Sequence, residues 1–424
     1  MYLIYILLFF ILFFVLFLRT NKLSYRLIVW MHVISFILQF GICLYFKSSS
    51  FVTVFNILFI CINLFLIISP WSRYQVRLSC VDCKDRFLLF ARRYMRPILL
   101  VNFVISLVLG VIIYTVFPSA KEFKQDGYLE LYETIPYFGN FFRYAYTTQL
   151  FGYLAVPVFF NRLVVGDKKE AWWWFIASLS SLVSGIAFFS RANMLSFALV
   201  YFFFYLTFRS SLGSRIQRRI SRLVKYTTIM IIISFILMSY SRFSRMDYLA
   251  ERIPRESVVQ DITTYYLLYY GGQSFPYSIT SLEEYSSEKC LNGSITFYNL
   301  YQVLGFFHLI DWDSSDAIEK RAKVMSELSD KFLGYTAGSV YDLGYIGTII
   351  MSFVYWAFVR RMSKARNNAN IKSLMYIAIL IQIPLNSIFY NIFSSAIMTL
   401  LFLLFMTFIH KCFAGLYKLT ESFK

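Results

Sequence analysis

Apolar and polar positions fall in blocks along this chain rather than alternating residue by residue. The apolar blocks approach the roughly 20 residues that a helix needs to cross about 30 Å of hydrocarbon. They predict eleven spans, at approximately 2 to 18, 27 to 46, 51 to 70, 97 to 117, 141 to 160, 171 to 190, 192 to 208, 227 to 241, 339 to 359, 373 to 389 and 391 to 410. A backbone in lipid must satisfy its own hydrogen bonds, so the expected fold is all-α, a polytopic integral membrane protein. Two pairs of spans are joined almost without a loop, at Arg191 and at Tyr390. The first block, MYLIYILLFFILFFVLFL, has no basic residue before it and no small-residue cleavage pattern after it, and reads as a first span.

Residues 242 to 338 break the rhythm of short connections and form one large loop, and a long ordered loop usually has a job. Within it, Val258, Ile262, Tyr265, Tyr266 and Tyr269 recur at helical spacing before Gly271 and Gly272, which predicts an aromatic interfacial helix. A second helix is expected from Asp316, with Glu319 completing a capping box and Ile318, Ala322, Met325, Leu328 and Phe332 on one face. The segment 209 to 225 places Leu212, Ile216, Ile220 and Leu223 along a strongly basic helix suited to anionic headgroups.

Composition agrees with the pattern: 58% of residues are hydrophobic and only 15% charged, where a soluble domain carries about a quarter charged. The formal charge of +18 sits in short loops between apolar blocks, not on one basic face, which argues against nucleic acid. Alternate loops are basic: Arg19, Lys22 and Arg26; Arg73 through Arg96; Arg209 through Lys225; Arg360 through Lys372. The positive-inside rule puts these in the cytoplasm, which leaves the N-terminus and the 242 to 338 loop outside and the C-terminus inside. Six scattered cysteines imply no disulfide framework, and the lone Cys80/Cys83 pair lacks the partners of a zinc set. No metal or cofactor is expected.

Ionisable residues at span edges are costly and carry functional hypotheses by default. Arg143, Arg191, Arg242 and Arg245 are expected on the outer side, where guanidinium groups suit a diphosphate; ordinary snorkelling or surface ion pairs are the alternative. Asp261 and His308 are candidate bases for a hydroxyl proton, although a single His among apolar residues is more often packed than catalytic. Asp342, after Tyr341 at the outer start of a span, is a third candidate; as a plain helix N-terminal carboxylate it would complement the dipole.

Three elements give the chain a likeness to a known group: SRANML at Ser190 to Leu195, ITFYNLY at Ile295 to Tyr301, and GYTAGSVYDLGYIGT at Gly334 to Thr348. It resembles the O-antigen and capsule repeat-unit polymerases, the Wzy-type membrane glycosyltransferases. In that family the third element commonly shows a Tyr-Thr pair, then Asp and two spaced glycines, matched here by Tyr335, Thr336, Asp342, Gly344 and Gly347. The Arg-x10-Gly repeats of some members are absent, so a catalytic scheme built on them does not carry over.

The resemblance implies a GT-C-like enzyme of a bacterial inner membrane. It would transfer a growing glycan en bloc from undecaprenyl diphosphate to a newly flipped lipid-linked repeat unit, without a metal. Asp261, His308 and Asp342 would then serve the proton transfer, the four arginines the diphosphate, and Tyr335 and Tyr341 the substrate. Membrane lipids, a chain-length regulator and a flippase are the expected partners. An O-antigen ligase, a flippase or exporter, and an assembly scaffold are the competing readings. The ligase differs only in acceptor, and an exporter would show repeated halves with midplane charges.

Overall fold

The structure is a computed structural model that describes residues 2–42, 51–75, 85–117, 131, 137–243, 251, 253–255, 257–327, 332–364 and 370–422. Cys80, Cys83, Arg245 and most of the 118 to 136 connection lie outside the described residues. Among the described residues every regular element is helical. Among the described residues, seven helices are long and apolar enough to cross a membrane: Leu23–Gly41, Phe51–Arg73, Arg86–Val116, Phe138–Val165, Ala192–Ser211, Gly334–Ser363 and Phe393–Phe413. Tyr2–Leu18 and Ile371–Asn386 are shorter apolar helices.

Surface chemistry is that of a membrane protein. On Arg96–Val116, Val101, Val104, Val108 and Val111 form an exposed stripe at helical spacing, while Asn102 and Ser106 are fully buried. On Gly334–Lys364, Ile346, Ile350, Phe353 and Val354 are exposed, and Ser339, Asp342, Thr348 and Ser352 are not. Contiguous exposed apolar stripes are rare on soluble monomers. Lipid removes the hydrophobic reason to bury them, and helices associate there through close packing and polar contacts.

The chain divides into two compact units. One gathers residues 1–75, 236–366 and 381–398. Its core contains an aromatic cluster in which Phe36 stacks on Phe9 at 5.0 Å and meets Phe275 edge-on at 5.8 Å. Polar bonds tie its helices together: Tyr5 Oη donates to Gln39 at 2.7 Å, Ser352 Oγ to Asn63 at 2.6 Å, and Trp71 Nε1 to Tyr355 Oη at 2.8 Å. The loops after the first and third apolar blocks meet, because Lys22 Nζ donates to the carbonyls of Ser72 and Tyr74 at 3.2 and 3.1 Å.

The other unit holds residues 76–235, 367–380 and 399–424. Lys168–Ala187 packs along Arg96–Val116 through the buried set Asn102, Ser106 and Ser184, with the two serine hydroxyls 2.7 Å apart. Glu170 in the first turn of that helix pairs with Arg92 at 3.0 Å and Arg96 at 2.8 Å. The short connection at Arg191 stays a break between two helices: Phe189 takes a left-handed φ of 50° and Arg191–Phe208 begins two residues later. The expected basic helix over 209 to 225 does not stand alone. It opens the 30-residue helix Ser214–Phe243, with Arg215, Arg218, Arg219 and Arg222 exposed and Ile220 buried.

The 242 to 338 segment differs from a free loop. Its first described helix is Ile262–Gly272, starting later than the periodicity predicts because Asp261 caps it by accepting from Thr264 N at 2.8 Å. It lies against Leu23–Gly41, and Tyr265 and Tyr266 are buried. Ser274–Glu283 follows, buried through Phe275, Ile279 and Leu282 at i, i+4 and i+7. After Tyr298–Phe306 comes Ser314–Glu327, which starts before Asp316; the capping carboxylate is Asp313, which accepts from Ser315 N at 2.7 Å.

Candidate functional site

The third sequence element folds as the start of the Gly334–Lys364 helix, which Gly344 interrupts with φ 70°, ψ 175°, a conformation that only glycine adopts readily. The interruption leaves the preceding carbonyls without helical partners. Tyr341 O accepts from Leu291 N at 2.9 Å and Asp342 O accepts from Gly293 N at 2.7 Å. The carboxylate of Asp342 completes the arrangement, accepting from Ile295 N at 2.9 Å and Thr296 N at 2.7 Å. Asp342 is fully buried. It therefore sits at the end of a short first helical piece, not at a helix N-terminus, and holds the ITFYNLY element by its backbone.

Three interruptions of helix converge at the other end of that first piece: around Gln273, at residues 332 to 334, and at 387 to 392. Gly334 N donates to Phe389 O at 3.2 Å and Tyr335 N to Ser387 O at 2.7 Å. Gly334 has φ +61°, and a Cβ there would lie 2.7 Å from Ser274 Oγ. Non-helical backbone of this kind needs partners from protein or water.

Here it lines a cleft formed by His32, Ile60, Leu64, Ser274, Phe275, Ser278, Gly334, Tyr335, Thr336, Ser387 and Ile388. The cleft has about 220 Å³ of empty space including its open mouth, and room inside for about one water-sized group. His32 is fully buried, with Nδ1 2.8 Å from Ile28 O and Nε2 2.7 Å from Ser387 Oγ. Ser387 Oγ also lies 2.9 Å from Pro384 O. Thr336 Oγ1, buried in the same lining, has no hydrogen-bond partner among the described residues.

The other sequence candidates are placed as follows. Tyr335 is buried with its hydroxyl 2.7 Å from Ser352 Oγ, and the residue lines the cleft. Tyr341 is buried and donates to Ser281 O at 2.9 Å. Asp261 is exposed, and its hydrogen bonds with Thr264 hold its carboxyl below the usual range. His308 is exposed in the turn after Tyr298–Phe306, with φ 54° and its N–H donating to Gly305 O at 2.9 Å. Arg143 is exposed on Phe138–Thr148. Arg191 opens its helix and Arg242 lies near the end of Ser214–Phe243, but both side chains fall outside the described residues, as does Arg245 entirely. Arg143 and Arg191 belong to one compact unit; Arg242, Asp261, His308, Tyr335, Tyr341 and Asp342 belong to the other.

Sequence reasoning missed His32 and Ser387. His32 reads as a polar interruption in an apolar block, and the available signal was the rule that an ionisable residue inside a span is functional by default. No family model, curated protein or solved structure matches this chain.

Proposed function

We propose that this chain is a membrane glycosyltransferase that polymerises undecaprenyl-diphosphate-linked oligosaccharide repeat units into an O-antigen or capsular polysaccharide. One observation carries the reading: two of the elements behind the family resemblance bind each other, through Asp342 and the backbone of Ile295 and Thr296. The Tyr335-Thr336 pair of the same motif lines the cleft with His32, so the motif residues gather where a buried polar site exists.

In this reading the chain has eleven spans in a GT-C-like arrangement in a bacterial inner membrane, N-terminus outside and C-terminus inside. The 242 to 338 segment then meets flipped substrate on the outer face. The bond that breaks joins the anomeric carbon to a diphosphate, already a good leaving group. The chemical need is charge stabilisation by a guanidinium group, for which Arg143, Arg191, Arg242 and Arg245 are the separate candidates. No metal enters the scheme. Asp342 acts by positioning the ITFYNLY segment, since both its oxygens are committed to backbone N–H groups. A chain-length regulator and a flippase are its expected partners.

Reconstitution of the full chain with purified lipid-linked repeat unit tests this. A ladder of glycan lengths on the lipid is the expected result. Translocation of single units without lengthening would instead establish a flippase. Transfer only to a lipid core would establish a ligase.

A further inference from the structure

The hydrogen bonding around Ser387 accommodates His32 in either protonation state. A carbonyl can only accept, so the 2.8 Å contact to Ile28 O places a proton on His32 Nδ1. In the neutral ring Nε2 is then the acceptor, and Ser387 Oγ–H donates to it at 2.7 Å. If Nε2 gains a proton, it donates to Ser387 Oγ, and the serine hydrogen turns to Pro384 O at 2.9 Å. Both ring nitrogens of His32 and the Ser387 hydroxyl remain bonded in both states, as a proton relay requires. The relay opens onto a water-sized space lined by Thr336, whose buried Oγ1 has no partner among the described residues. Buried hydroxyls are ordinarily satisfied, so this one awaits a hydroxyl or a water.

We propose that this cleft binds the acceptor-sugar hydroxyl, with Thr336 Oγ1 as its hydrogen-bond partner and the Ser387–His32 pair as its proton acceptor. This rests on the polymerase reading. The acceptor oxygen bonds to the anomeric carbon as the carbon–oxygen bond to the diphosphate breaks, and the lipid diphosphate leaves with the electron pair. The acceptor proton passes to Ser387 Oγ as the serine proton passes to His32 Nε2, leaving an imidazolium held between Ile28 O and Ser387. Among the described residues, no Asp, Glu, Lys or Arg lines the cleft. Of the described lining residues Tyr335 is also titratable, and its hydroxyl is engaged with Ser352.

The test uses the full chain in liposomes with lipid-linked repeat unit, comparing wild type, His32→Asn and Ser387→Ala. An Asn amide keeps a donor for Ile28 O. Each variant is expected to lose about 10²-fold or more in turnover with KM near wild type. The wild-type rate should also fall on acidification through protonation of the base, and His32→Asn should lack that acidic limb. A variant that is not monodisperse in detergent is set aside and the other decides by turnover and KM. A wild-type ladder with unchanged turnover in the folded variants, or an unchanged acidic limb in folded His32→Asn, overturns the relay and leaves the polymerase reading standing. Absence of any wild-type ladder overturns both.

Discussion

The carboxylate of Asp342 accepts a hydrogen bond from the backbone of Thr296 at 2.7 Å, closing 46 residues of chain. With the second bond from Ile295, it fixes a segment that has turns but no helix until Tyr298. Asp342→Asn replaces one acceptor oxygen with an amide that opposes a backbone donor. The expected loss is about 1.5–3 kcal/mol, the range for hydrogen bonds to charged groups. Thermal unfolding in detergent measures that loss, and amide hydrogen exchange localises it. Protection at Ile295 and Thr296 equal to wild type would remove the pinning role.

Gly344 makes that pin possible by ending the first helical piece with φ 70°, ψ 175°. A Cβ there finds ordinary space, its nearest neighbour being Tyr285 Oη at 3.6 Å. Any cost of Gly344→Ala therefore comes from the backbone, about 1–3 kcal/mol for a residue held in a glycine-only region. A melting temperature unchanged from wild type would show that the helix runs through Gly344 unbroken.

The helices were legible in the sequence because a span must be long and apolar, and the apolar blocks lie on helices accordingly. Asp342 was legible as a costly acid at a span edge beside spaced glycines, and its burial was not. Its partners were not, because Ile295 and Thr296 take part through backbone atoms that any residue would supply. Ser274–Glu283 was hidden for another reason: its serines dilute the apolar signal, and only Phe275, Ile279 and Leu282 mark the buried face. The Ser387–His32 pair joins residues 355 apart, which no local pattern encodes.

Asp261 separates a structural from a catalytic carboxylate. Hydrogen bonds with Thr264 lower its pKa in the folded chain, so the ionised form is favoured by folding. Its contribution is fully present above the unfolded carboxylate value of about 3.9 and is lost as pH falls through the lower folded value. Asp261→Asn keeps the cap and is expected to retain both the Ile262–Gly272 helix and glycan elongation at neutral pH. Exchange protection at Thr264 should persist below pH 4 in that variant and weaken in wild type. Elongation abolished by Asp261→Asn, with the helix intact, would restore Asp261 as a proton acceptor.

Arg191 carries the sharpest prediction among the arginines. It begins the Arg191–Phe208 helix immediately after the left-handed turn at Phe189, so its cationic side chain starts from an end where the helix dipole also favours an anion. Under the proposed function the guanidinium grips diphosphate oxygens with two parallel bonds, which lysine cannot reproduce. Elongation should therefore fall in the order Arg, Lys, Ala. Arg191→Ala should lose about 10²- to 10³-fold in turnover, the effect of removing one preorganised charge-stabilising group. A snorkelling arginine predicts the opposite: Lys would replace it fully and Ala would alter insertion rather than turnover. Long-chain polymer from Arg191→Ala at the wild-type rate would remove it from the site and leave the diphosphate to Arg143, Arg242 or Arg245.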